Sequence, residues 1–130
     1  MQDRKLAILV VEDHPFQLIA IQMHLNRMGF YHLTPALDAD EARQACQRRT
    51  GPFDLFLCDI NLPGTNGVAL LEELAKSGRI QHAVLLSYQG EDELQTLEKH
   101  LQDIGLPVLA CLSKPLDQAM LLRALDRESA

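Results

Sequence analysis

No segment of this 130-residue sequence concentrates lysine or arginine, and 12 basic residues face 18 acidic ones, for a formal net charge of −6. Electrostatic capture of nucleic acid needs clustered cations facing phosphates, so it is not expected of this segment. Long hydrophobic runs are also missing. LAILVV at 6–11 is among the longest, and it falls far short of the ~20 apolar residues that cross a bilayer. The polar MQDRK before it leads straight into that run and does not resemble a secretory signal. Cysteine is scarce: Cys46, Cys58 and Cys111 have no CxxC spacing and no paired histidines nearby. Their number is odd and two lie in apolar runs, so they read as reduced core thiols of a cytoplasmic protein. Neither GxGxxG nor GxxxxGK[ST] occurs, which leaves nucleotide binding without its glycine-rich phosphate cradle.

What the sequence does contain is an alternation of two kinds of segment within a length that suits one domain, residues 1–130. Short apolar runs stand at 6–11, 55–58, 83–86 and 108–112, with the length and β-branching of strands buried on both faces. HLTPA at 32–36 is a weaker strand, and its proline suits a sheet edge. Helical patterns lie between. Pro15 opens the first, where its missing N–H is tolerated; Leu18, Ile21, Leu25 and Met28 follow at helical spacing, and Gly29 ends it. The second covers 38–49, with Asp38 or Asp40 as cap and Ala42, Ala45 and Cys46 inward. Asn66 caps a third carrying Val68, Leu71, Leu74 and Ala75. Leu94, Leu97, Leu101 and Ile104 form the stripe of a fourth, closed by Gly105 and Pro107. Asp117 opens a fifth, with Leu121, Ala124 and Leu125 inward. Met23, Met28 and Met120 read as core or flank filler. The expected fold is α/β: a doubly wound, flavodoxin-like (βα)5 parallel sheet with strand order 2-1-3-4-5. Such a sheet binds ligands beyond the carboxyl ends of strands 1 and 3.

Polar residues gather at those strand exits. Strand 1 runs into Glu12-Asp13, strand 3 into Asp59, strand 4 into Ser87, and strand 5 into Ser113-Lys114-Pro115. Each has an ordinary reading when taken alone. An aspartate after a strand is commonly a turn former, Glu12-Asp13 serves equally as a helix cap, and a Lys-Pro step or a lone serine is common on surfaces. Brought to one rim, three carboxylates repel one another unless a cation sits among them. Few carboxylates with open positions suit Mg²⁺, which keeps water and accepts phosphate oxygens. Lys114 and Ser87 are matched to phosphoryl oxygens. His14 reads as a helix-start residue rather than a metal ligand.

With Glu12-Asp13, Asp59 followed by Pro63 and Gly67, Ser87, and Lys114-Pro115, the chain resembles the CheY-like receiver domain of two-component response regulators over nearly its whole length. The resemblance implies a signalling module rather than an enzyme, in which Asp59 accepts a phosphoryl group from the phosphohistidine of a sensor histidine kinase or phosphotransfer protein. It implies Mg²⁺ held by Asp13, Asp59 and the backbone carbonyl of Asn61, with Glu12 acting through water. Lys114 would pair with Asp59 and then with a phosphoryl oxygen, and Ser87 would move onto the phosphoryl group. A homodimer and an output domain C-terminal to the segment are the further partners considered, and no membrane is. Residues 104–109, IGLPVL, are similar to receivers fused to EAL-type cyclic-di-GMP phosphodiesterase domains. Three positions depart from the family pattern. Tyr88 stands where a small residue is usual, Cys111 where an aromatic switch residue is usual, and the segment from Ser87 to Lys114 is longer than usual. These departures open a rival reading, an interaction module that keeps the fold without phosphorylation. An aspartate-nucleophile phosphohydrolase is disfavoured because Asn61 occupies the place of its second catalytic aspartate.

Overall fold

The computed structural model describes residues 4–127. Part of the N-terminal MQDRK segment and the last residues, Ser129 and Ala130, lie outside it. Five strands and five helices alternate: β1 (Ile8–Val11), α1 (Pro15–Arg27), β2 (Leu33–Ala36), α2 (Ala39–Gln47), β3 (Phe53–Asp59), α3 (Gly67–Lys76), β4 (Ile80–Ser87), α4 (Glu91–Asp103), β5 (Val108–Ser113) and α5 (Gln118–Asp126). The strands form one parallel sheet in the order β2-β1-β3-β4-β5, as the sequence pattern implies.

Side chains along a strand point alternately to the two faces, and each face carries its own core. Leu9, Val11, Phe56, Cys58 and Leu85 pack with the buried residues of α2, α3 and α4. Ile8, Val10, Leu57, Val84 and Leu112 pack with Leu18 and Leu25 of α1 and Leu121 and Leu125 of α5. Because both faces are covered, the three central strands read as continuous apolar runs. At the edge, Pro35 of β2 stands in register with Val10.

Several local expectations shift. β1 begins at Ile8 rather than Leu6, because the Ala7 N–H bonds to Asp54 Oδ2 at 2.8 Å and not into the ladder. Ile104 is not part of the inner stripe of α4. It follows the helix as its C-cap and is 55% exposed, while Gly105 reverses the chain at φ 89° and Leu106 packs against the core instead. Met28 fills the core, and Met23 and Met120 lie on the outward flanks of their helices. In α3, Leu70 is fully buried alongside Leu71 and Leu74.

Every strand of a parallel sheet runs the same way, so all five exits open on one rim. β3 and β4 end there at Asp59 and Ser87.

Candidate functional site

Lys114, immediately after β5, lies at the centre of this rim. Its Nζ donates to Glu12 Oε1 at 2.6 Å and to Asp59 Oδ2 at 2.9 Å. All three side chains are buried, with relative exposures of 6%, 0% and 7%. Burial by itself lowers the pKa of a lysine, but the hydrogen bonds and negative charges of Glu12 and Asp59 outweigh it, and the Lys114 pKa is raised. The ammonium therefore stays charged although it is withdrawn from water. The Lys114 backbone N–H donates to the Ser87 carbonyl at 2.8 Å, which ties the end of β5 to the end of β4.

Asp59 is fixed from its other side by the loop that follows it. Its Oδ1 accepts the Asn61 N–H at 2.9 Å. The Ile60 N–H extends the pairing to the Leu86 carbonyl at 2.9 Å, and the Gly67 N–H closes the loop on the Ile60 carbonyl at 2.7 Å. Gly64 supplies a positive φ of 79° at the loop tip, a conformation that only glycine adopts freely. Gly67 has a different reason. A Cβ added there would collide with the Asp59 carbonyl oxygen and stand 3.0 Å from Ile60 Cα. The start of α3 thus rests directly on the backbone of Asp59, and the Asn66 side chain caps that helix by accepting the Ala69 N–H at 2.7 Å.

The acidic pair after β1 divides its work. Glu12 Oε2 accepts the His14 N–H at 3.2 Å and faces His14 Nδ1 at 3.3 Å, so both of its oxygens already have protein partners. Asp13 Oδ1 is buried and has no hydrogen bond; His14 Nδ1 approaches to 3.3 Å without making one. His14 itself is the N-cap of α1 and is largely exposed. Candidate ligand atoms of Glu12, Asp13 and His14 lie within 4.8 Å of one another. A buried carboxylate oxygen left without a donor is costly. Glu12 and Asp59 flank one ammonium and Asp13 stands next to Glu12, so the group carries a formal excess of two negative charges. Both features fit a divalent cation with oxygen ligands.

Ser87 is fully buried, and its Oγ accepts the Gln89 N–H at 3.2 Å. Tyr88 is 69% exposed, with the Lys114 ammonium 5.1 Å from its ring centroid, within reach of a cation–π attraction. Tyr88 also walls a cavity of about 280 Å³ that Gln17, Ile21, Leu86, Lys114 and Pro115 help to line. Cys111 is buried, and its N–H donates to Glu98 Oε1 of α4 at 3.0 Å. Burial, and then the Glu98 charge, push its thiol up to about 12. Arg127 joins the same cluster, donating to Glu98 Oε2 at 3.2 Å and to the Leu109 carbonyl at 2.7 Å. The Gln102 side chain donates to the Val108 carbonyl at 2.8 Å. Side chains of α4 and of Arg127 thereby occupy backbone groups of edge strand β5 that no sheet neighbour reaches.

One residue at the rim carries no signal in the sequence motifs. Gln17 Oε1 accepts a third hydrogen bond from Lys114 Nζ at 3.2 Å. Its place in the first turn of α1, one turn beyond Asp13, was the available clue.

Comparison with known proteins agrees with this architecture. The family model for the response regulator receiver domain matches residues 8–126. Among curated proteins, the cyclic di-GMP phosphodiesterase RocR of Pseudomonas aeruginosa is 31% identical over 126 residues, covering 96% of this chain and 32% of RocR. The chemotaxis protein CheY-3 of Vibrio cholerae is 25% identical, covering 96% of this chain and 92% of CheY-3. The chain spans about a third of RocR and 27% of another curated relative, the transcriptional activator PfeR of Pseudomonas aeruginosa. Among solved structures, the signal receiver domain of an HD domain-containing protein from Pseudomonas fluorescens superposes with a TM-score of 0.74 at 28% identity, covering 96% of this chain and 87% of that one. Chemotaxis protein CheY4 of Vibrio cholerae gives a TM-score of 0.74 at 22% identity, over 95% of this chain and 98% of that one, and shares the fold.

Proposed function

This chain belongs to the response regulator receiver family, and from that premise we propose that it is a phosphorylation-dependent switch whose acceptor is Asp59. The observation that carries this reading is the Lys114 ammonium held between Asp59 and Glu12, with the unpartnered oxygen of Asp13 next to Glu12. In the proposed reaction an Asp59 oxygen attacks the phosphorus of a phosphohistidine on a sensor kinase or phosphotransfer protein. The new O–P bond forms as the P–N bond breaks, and the leaving imidazole keeps the electron pair and takes up a proton from solvent. A carboxylate is a weak nucleophile, so alignment and charge neutralisation carry the rate. Lys114 exchanges Asp59 Oδ2 for a phosphoryl oxygen, and the Ser87 hydroxyl turns onto another. Asp13, Asp59 and the Asn61 carbonyl, with Glu12 in support, are the residues to hold Mg²⁺, which when bound offsets the negative charge of the transferring group.

On the partner side, Phe16, Ile19 and Met23 of α1 lie at i, i+3 and i+7 and are all exposed. This stripe leads away from the rim and suits the apolar face of a helical phosphodonor. Among the described residues no helix is long and apolar enough to cross a membrane. We place the domain in the cytoplasm, where its three buried thiols stay reduced. A C-terminal output domain and self-association are the proposed readouts. RocR, which carries much more chain than this segment, illustrates a receiver in a larger protein.

The rival reading, a receiver-like interaction module without phosphorylation, draws on Tyr88 over the lysine and on Cys111 in place of an aromatic residue. One experiment separates the two. The chain is incubated with a small phosphodonor such as acetyl phosphate, with Mg²⁺ or with a chelator. The switch reading predicts about one acid-labile phosphate per chain only with the metal present. No incorporation in either condition favours the interaction module.

A further inference from the structure

We infer that Gln17 is a positioning residue for Lys114, holding the ammonium over the phosphoacceptor from the side of α1; this rests on the reading of Asp59 and Lys114 proposed above. An ammonium has three donors and no acceptor. The three of Lys114 are met by Glu12 Oε1, Asp59 Oδ2 and Gln17 Oε1 at 2.6, 2.9 and 3.2 Å, and the Tyr88 ring stands 5.1 Å from the nitrogen. Lys114 is thus saturated by groups from β3, from the β1–α1 connection and from α1.

Gln17 is free for this task because of how α1 begins. His14 is the N-cap and Pro15 the first helical residue, so Gln17 occupies the third helical position. A glutamine there ordinarily reaches back to the N-cap N–H as half of a capping box. Here Glu12 Oε2 has taken that N–H. The Gln17 side chain is released and turns its amide oxygen to the lysine.

The chemistry of transfer makes this third contact useful. When Asp59 carries a phosphoryl group, Lys114 gives up Asp59 Oδ2 and takes a phosphoryl oxygen. Glu12 and Gln17 are then its two remaining anchors, and two fixed bonds leave the third N–H aimed at one place. With Glu12 alone, the four-carbon stem swings and water competes for the freed donors. A neutral amide suits the position. A carboxylate would add to the excess negative charge already present, whereas an amide oxygen fixes direction without changing the charge.

The test uses the whole chain and the variants Gln17→Leu, Gln17→Asn and Gln17→Glu. Two quantities are measured. One is hydrogen exchange at the Lys114 ammonium, followed by ¹⁵N NMR without any phosphodonor. The other is the rate of phosphate incorporation from acetyl phosphate with Mg²⁺. Gln17→Leu removes the acceptor and Gln17→Asn shortens its reach, so each should speed exchange and slow incorporation by about tenfold, the loss of one charged hydrogen bond. Mg²⁺ binding, measured by calorimetry, should stay within about twofold, because no proposed ligand changes. Gln17→Glu keeps an acceptor and should retain slow exchange. Unchanged exchange, or unchanged incorporation despite faster exchange, in a folded Gln17→Leu or Gln17→Asn overturns the inference. If the unaltered chain takes up no phosphate, the acceptor reading fails, and ammonium exchange still decides whether Gln17 holds Lys114.

Discussion

Gly67→Ala adds one methyl group at the point where α3 rests on Asp59, the proposed phosphoacceptor, and the structure fixes what that methyl meets. The new Cβ would collide with the Asp59 carbonyl oxygen and lie 3.0 Å from Ile60 Cα. Both obstacles are backbone, held by the Ile60 N–H to Leu86 carbonyl bond at 2.9 Å and the Gly67 N–H to Ile60 carbonyl bond at 2.7 Å. Neither can rotate away as a flexible side chain would. Relief requires a shift of roughly 1 Å between α3 and the end of β3, and overpacking of that kind destabilises by about 1–3 kcal/mol. The reduced freedom of the unfolded chain returns about 0.4–1 kcal/mol, leaving a net loss of up to about 2.6 kcal/mol. The larger consequence concerns chemistry, since misplacing a reacting group by about 1 Å reduces rates by up to about a hundredfold. Gly78→Ala is the control. Gly78 has a φ of 70° with nothing near its Cβ position, and it lies after α3, far along the chain from Asp59. Strain there should cost about 1–2 kcal/mol without touching the acceptor. Urea unfolding and the rate of phosphate incorporation should be measured for both variants. Comparable losses of stability, with slow phosphorylation in Gly67→Ala alone, are expected. A folded Gly67→Ala that phosphorylates at the unaltered rate would refute the view that this contact sets the acceptor's position.

Three other outcomes are expected. Asp13→Asn should weaken Mg²⁺ binding by at least about tenfold, read by calorimetry, because the unpartnered Oδ1 belongs to a ligand that loses its charge; unchanged affinity would reject the ligand set. Cys111→Ala should alter phosphorylation-dependent self-association by less than about threefold, whereas Tyr88→Ala should diminish that response while leaving Asp59 phosphorylated, since allosteric coupling of ordinary size is about 1–3 kcal/mol and Cys111 has no ring to turn; the reverse pattern would refute this route. The Cys111 thiol should make the fold sensitive to alkali. Its pKa rises from about 9 to about 12 on burial, so the stabilisation is complete below pH 9, is lost as pH climbs to about 12, and amounts to at most about 4 kcal/mol. Cys111→Ala should flatten that decline in denaturation measurements, and an identical decline in the variant would place its origin elsewhere.

The architecture was legible because its causes are local. Short apolar runs alternating with 3.6-periodic stripes dictate a two-faced parallel sheet, and the residues at the strand exits were named by their position alone. Asn66 and Asp117 were readable as caps for the same reason. What escaped the sequence depends on contacts distant along the chain. Gln17 meets Lys114 across 97 positions, and nothing in the spacing of α1 distinguishes it from a solvent-facing glutamine. The stripe containing Ile104 had the right period, yet the chain reversal at Gly105 carries that side chain out of the core. Gly67 was visible as part of the motif that follows Asp59, but its reason, the Asp59 carbonyl beneath it, is a tertiary fact. The hold of Glu98 on the Cys111 N–H likewise joins α4 to an edge strand that only the assembled sheet defines.

Whether Asp59 is the residue that receives phosphate is decided by borohydride trapping. Borohydride reduces an aspartyl phosphate to homoserine, so a phosphorylated chain treated in this way and mapped by mass spectrometry keeps a permanent mark at the acceptor. Homoserine is expected at position 59, absent when Mg²⁺ is chelated and absent in Asp59→Asn. Homoserine at Asp13 or another carboxylate of the unaltered chain, or stoichiometric phosphate in Asp59→Asn, would contradict it.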